Sequence, residues 1–168
     1  MNQKGFANAA VIIVAVILVG VIGYFALNRK ASSPAPVATQ PSFSEQIQSF
    51  ESMGKSGYSG LEDRKDYVIK DASEWKNLWE VAYARVSQKP ALPVVDFNNE
   101  MIIAVAQGSH STGGYNIEVT GILEKENSLE VQVKETSPAP GAIVTQAFTQ
   151  PFHIVKTKKS DKEVVFKR

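Results

Sequence analysis

The 168-residue chain contains no cysteine, and only two histidines and two tryptophans. The missing thiols exclude disulfide staples, a cysteine nucleophile and thiolate-held zinc. They say nothing of compartment, because an exported protein need not carry disulfides. His110 and His153 stand in different segments, without the short ligand spacing of a local metal motif. A phosphate-cradling glycine loop is missing too, since Gly113-Gly114 has neither the Lys-Ser/Thr nor the strand-to-helix setting of such loops. No metal and no cofactor are expected. Charge of one sign is also scarce: after residue 30, fifteen basic side chains face seventeen acidic ones, a formal charge of −2. A near-neutral surface of mixed sign excludes nucleic acid as the expected partner. The one concentrated basic run, Lys156-Thr157-Lys158-Lys159, reads as a solvated turn between strands.

Against these absences stands one long presence. Ala9 to Leu27 form nineteen consecutive positions without a charge, enough for a helix to cross a bilayer core. A cleaved secretory signal has a shorter apolar core and a small-x-small cleavage site, whereas Asn28-Arg29-Lys30 follows here. The organisation expected is a short flank (1–8), a transmembrane anchor (9–27), a Pro/Ser-rich linker (28–46) and one domain (47–168). The linker composition is that of an extended, solvated spacer. It favours an extracytoplasmic position for residues 31–168, although Lys4 and the terminal amine nearly balance Arg29 and Lys30 under the positive-inside rule. Lys4-Gly5-Phe6 resembles the processing site of type IV pilin-like proteins, but Ala10 stands where their assembly glutamate is found.

The domain reads as α+β: six or seven mostly antiparallel strands with one main helix packed on the sheet. Phe43, Ile47 and Phe50 fit a short helix or a strand beginning near Ile47, ended by the turn-rich stretch 54–60. Asp66 to Lys70 reads as a strand. Asp71 with Glu74 makes a capping-box-like start to a helix reaching about Arg85, whose stripe Trp75, Leu78, Trp79, Ala82, Tyr83 and Val86 faces the core. The uninterrupted apolar run Met101–Ala106 predicts a central strand buried on both faces. Alternation predicts strands around 115–119 and 129–133, joined by a hairpin over 121–127, and two more at 148–155 and 164–166 joined through the Lys-rich turn.

Trp75-x-x-Leu78-Trp79, Pro93-x-x-Asp96-Phe97, the apolar strand ending in Gly108, Thr112-Gly113-Gly114-Tyr115, Pro140-Gly141 and Gln150-Pro151-Phe152 follow one another in an order that resembles the C-terminal domain of PrcB, the protease-complex subunit family. The resemblance spans roughly residues 50–167. It implies an accessory subunit of a surface protease complex, not the peptidase, and here a membrane helix would replace that family's lipidated cysteine. A catalytic reading has little to build on. His110 lies beside Ser109 and Ser111, but sequence neighbours need not point at one another, and nucleophilic catalysis requires an oriented base. The expectation is no enzyme.

The candidate recognition residues are Thr112, Gly113, Gly114 and Tyr115, with Pro140, Gly141, Gln150, Pro151 and Phe152 as neighbouring loops at the same sheet edge. The bland alternative is a hairpin turn whose glycines serve geometry alone. Chagasin-like cysteine-protease inhibitors are faintly similar, with a Thr-Gly-Tyr loop, a glycine-rich loop and an Arg-Pro-Trp loop for which Gln150-Pro151-Phe152 would stand. The function expected is therefore a membrane-anchored, extracytoplasmic interaction domain supporting a protease or envelope complex. A chagasin-like inhibitor is the alternative, and a pilin-like component the third.

Overall fold

Met101 to Ala106 are apolar at every position because both sides of their strand are covered. In the computed structural model, which describes residues 45–168, the elements are β1 (Gln46–Ile47), β2 (Phe50–Ser56), β3 (Arg64–Ile69), α1 (Ala72–Ala82), β4 (Glu100–Gln107), β5 (Asn116–Glu124), β6 (Ser128–Thr136), β7 (Phe152–Lys158) and β8 (Glu163–Lys167). They form two four-stranded sheets, ordered β1-β5-β6-β8 (sheet 1) and β2-β7-β4-β3 (sheet 2). Ile102, Ala104 and Ala106 point to one side of β4, into a core shared with Trp75, Leu78 and Trp79 of α1. Met101, Ile103 and Val105 point to the other, into a core shared with Ile117, Val119, Leu129 and Val131 of sheet 1. The layers are therefore helix, sheet 2, sheet 1. Each aliphatic side chain buried this way stabilises by about 1.5–3 kcal/mol relative to exposure.

The helix begins where the sequence places it. Asp71 is extended and its carboxylate accepts from the N–H groups of Ser73 and Glu74, both at 2.9 Å. Trp75, Leu78, Trp79 and Ala82 are buried on sheet 2. The two indole N–H groups donate to the carbonyls of Pro93 and Pro90, both at 3.0 Å, so each ring is core and clamp together. The helix stops at Ala82, short of the expected Arg85, because the Val81 carbonyl is taken by the N–H groups of Ala84 and Gly60. Val86 lies beyond that end and is 36% exposed.

Several expectations need correction. Over the described residues the fold is a β-rich pair of sheets with eight strands and one short helix, where a single sheet of six or seven strands is expected. Among the described residues no helix is long and apolar enough to cross a membrane; the anchor expected over 9–27, and most of the linker, lie outside them. Ile47 and Phe50 lie in strands, the second of the two readings that their spacing allows, but β2 continues through Gly54 and Lys55 because a bulge after Ser52 restores its register with β7. Gly121 is inside β5, carried past a second bulge between Val119 and Gly121, so the β5–β6 turn is only 125–127. Lys156 and Lys158 belong to β7, not to a turn. The Lys156 ammonium is flanked by Glu51 at 3.2 Å and Glu100 at 3.1 Å, one from each neighbouring strand, which makes a charged position tolerable in mid-sheet. These partners hold its pKa above the usual lysine range.

The last two strands do not pair. β7 lies within sheet 2, while β8 crosses to sheet 1 and runs parallel to β6. At the opposite end of the domain's chain, β1 pairs with β5 and β2 with β7, so residues 46–56 pass from one sheet to the other. Arg168 reaches both Asp66 of β3 and Glu135 of β6.

Candidate functional site

Among the described residues a serine hydroxyl and a histidine ring meet at Ser52 and His153, not beside His110. The Nε2 of His153 lies 2.9 Å from the Ser52 hydroxyl. On the other side of the ring, the Val119 N–H donates to Nδ1 at 3.0 Å, crossing from sheet 1 to sheet 2. That bond occupies the Nδ1 lone pair, so the proton of the neutral ring sits on Nε2 and is donated to Ser52. A base that activates serine needs the opposite tautomer, with an open Nε2 lone pair and Nδ1–H held by an acceptor. His153 thus joins the sheets and does not activate Ser52. It is 3% exposed, and burial, reinforced by the Lys55 ammonium and opposed by Glu118, pulls its pKa below the ordinary value.

The His110 side chain is engaged differently. Its ring stacks on Tyr115, centroids 3.7 Å apart and planes 5° apart, and its buried Nε2 has no hydrogen-bond partner. Desolvation lowers its pKa as well. Its backbone does the tying: His110 and Thr149 exchange N–H···O bonds of 2.9 Å in both directions.

Around that bridge the expected loop residues gather unevenly. The Gly113 N–H donates to the Thr145 carbonyl at 2.8 Å, and the Thr149 hydroxyl donates to the Thr112 carbonyl at 2.8 Å. Gly114 adopts φ 89°, and a β-carbon there would stand 3.1 Å from Pro138 and 3.2 Å from Val144. Loop 108–115 is therefore laid along segment 137–149, with Gly114, Pro140 and Gly141 exposed and Thr112, Gly113 and Tyr115 half-buried. Gln150, Pro151 and Phe152 do not join this face. All three are buried: the Gln150 N–H donates to the Gly57 carbonyl at 2.8 Å, the Ser59 hydroxyl donates to the Gln150 carbonyl at 2.9 Å, and Phe152 packs under α1. A wedge of three exposed loops, as the inhibitor likeness requires, thus has only two of its parts at the surface.

The face contains two residues that sequence reasoning passed over. Ile143 is fully exposed and Phe148 is 70% exposed, on a segment with no Lys, Arg, Asp or Glu from Ser137 to Val155. Phe148 had been expected within a strand; Thr149 makes only the isolated bridge to His110, and β7 starts at Phe152. The signal available was the charge-free stretch itself.

Residues 101–158 match the PrcB C-terminal family. The comparisons with curated proteins and with solved structures gave no match. The PrcB C-terminal match covers the central strands of sheet 2, the β5–β6 hairpin and both exposed loops, and leaves β1–β3, α1 and β8 outside. It is shorter than the span of about residues 50–167 over which the motifs resemble the family. Among the described residues no group of three or more His, Cys, Asp or Glu is placed to hold a metal ion.

Proposed function

We propose that this chain is a non-catalytic accessory subunit that supports a protease or another cell-envelope complex by binding a protein partner. The match of residues 101–158 to the PrcB C-terminal family is the observation that carries this reading. The contact face is the surface of Thr112, Gly113, Gly114 and Tyr115 with Pro140 and Gly141, extended by Ile143 and Phe148. Hydrogen bonds to the loop backbone hold the segments that carry these side chains before binding, which reduces the ordering cost of association. A tyrosine on such a base is a common carrier of interface energy, and the apolar Ile143 and Phe148 add area that a partner can remove from water. The uncharged run 9–27 is the attachment to a membrane, with residues 31–168 on the extracytoplasmic side.

Affinity capture of the full chain from its own cell envelope, with Ile143→Asp and Phe148→Ser variants beside it, tests the reading. The parent should recover a peptidase or its complex, and each variant should recover less while unfolding at the parent's temperature. Recovery that is equal for parent and folded variants refutes the face. Recovery without any peptidase subunit refutes the protease association. Labelling of residues 31–168 from outside intact cells, or after permeabilising an outer membrane, checks the orientation, and protection from such labelling would sink it.

A further inference from the structure

Sheet 2 ends on β3, whose outer side faces no other strand among the described residues. Every second residue of such an edge turns its N–H and C=O away from the sheet, a row complementary to another extended backbone. Beside it lies an open groove of about 480 Å³ between β3 and α1. Lys65, Tyr67 and Ile69 alternate along the strand wall, and Glu74, Asn77 and Val81 recur at helical spacing along the other. Val81 is 45% exposed, an apolar side chain without a partner surface on the groove wall.

The groove has two distinguishable ends. Asp71 turns β3 directly into α1, and the Gly60 N–H donates to the Val81 carbonyl at 3.1 Å, so the helix runs back along the strand. Ile69 and Glu74 therefore stand at one end, Lys65 and Val81 at the other. The Lys65 ammonium is held 5.0 Å from the centre of the Tyr67 ring.

The geometry points to a peptide-binding groove: an extended segment of a partner protein adds to β3 as an antiparallel fifth strand of sheet 2 and seats alternate apolar side chains between β3 and α1. Running opposite to β3, this segment begins beside Ile69 and ends beside Lys65. Its N-terminal end meets the Glu74 carboxylate and its C-terminal end meets the Lys65 ammonium. The segment recognised is thus basic at its start, apolar at alternate positions and acidic at its finish. This surface is separate from the loop face, and loss of partner capture by loop variants leaves it untouched.

The test titrates the full chain with a fluorescent probe peptide bearing an N-terminal lysine, alternate valines and a C-terminal glutamate. Anisotropy reads affinity, and hydrogen exchange reads the β3 amides. Saturable binding is expected, with slowed exchange in β3 and affinity weakened about tenfold or more by Val81→Glu. A probe with its end charges exchanged should bind the parent less well, and bind the Lys65→Glu/Glu74→Lys variant better. Unslowed β3 exchange at the probe's solubility limit overturns the proposal, as does slowing confined to another segment. If Val81→Glu does not fold, the charge-exchange pair decides, and equal affinity of both probes for the parent overturns the proposed binding polarity. Slowing of β3 without peptide as protein concentration rises would make the occupant a second copy of this chain and likewise overturn it.

Discussion

Replacing His153 by leucine should make the domain less stable near neutral pH and less sensitive to acid, and the two effects have separate origins. The substitution leaves the buried Val119 N–H without its Nδ1 acceptor, a loss of about 1–3 kcal/mol, while exposed Ser52 turns to water. The acid effect follows from the depressed pKa of His153. Above about pH 6.5 neither the folded nor the unfolded imidazole holds the extra proton, and the inter-sheet bond contributes fully. As pH falls below that value the unfolded chain takes up a proton that the folded one refuses. Parent stability then drops with a limiting slope of about 1.4 kcal/mol per pH unit, until the folded ring itself protonates. A protonated ring would set an Nδ1–H against the Val119 N–H, beside the ammonium of Lys55 and with only Glu118 to balance it. The leucine variant lacks this term, so the stability gap should narrow as the solution is acidified. His110 is common to both proteins and cancels in the difference. Urea unfolding read by tryptophan fluorescence suits the measurement, since Trp75 and Trp79 are both 2% exposed. A gap that stays constant between about pH 7.5 and about pH 5 would refute the assigned tautomer and the bond across the sheets.

Trp79→Ala should cost about 3–5 kcal/mol in the same urea assay, because the ring is 2% exposed, lies against Trp75 and Tyr83 and ties Pro90 to the helix; an unchanged midpoint would make it a surface residue. Asp71→Ala should cost about 0.5–2 kcal/mol by freeing the Ser73 and Glu74 N–H groups, whereas Asp71→Asn should retain most of that stability. Gly108→Ala should be more damaging than Gly114→Ala in thermal unfolding: both glycines have positive φ, but a β-carbon at Gly108 would stand 2.8 Å from the Arg64 backbone nitrogen, whereas at Gly114 the nearest atoms, Pro138 Cβ and Val144 Cγ1, are 3.1 and 3.2 Å away. Equal melting temperatures for the two alanine variants would contradict that ordering.

What was legible in the sequence was whatever a local pattern encodes. An unbroken apolar run identified β4 because a strand covered on both faces has no wet side, and a capping aspartate with a helical stripe identified α1. The distribution of strands between two sheets left no such trace. Alternation in 164–166 is compatible with either sheet, and its parallel pairing with β6 depends on residues far upstream. Lys156 misled because its charge is offset by Glu51 and Glu100, on strands distant in sequence. Gln150-Pro151-Phe152 resembled an exposed loop by composition, yet Gly57 and Ser59 satisfy its backbone in the interior. Thr112–Tyr115 lies in a loop, with β5 starting one residue later than the alternation suggests, and the apolar points Ile143 and Phe148 come beside it because segment 137–149 is laid against it.

The route of the chain through sheet 2 also sets an order of events. Phe50 pairs with Thr157, and β7 separates β2 from β4, so neither neighbour can be joined to the other until the chain as far as Lys158 is present. A chain emerging N-terminus first must hold β2 unpaired while residues 57–151 follow, and can close its central sheet only late. Contacts between such distant segments impose a large loop-closure entropy and slow folding. During that interval β2 and the apolar β4 remain available to chaperones or to each other's wrong edges, and productive folding becomes a race between the arrival of β7 and aggregation.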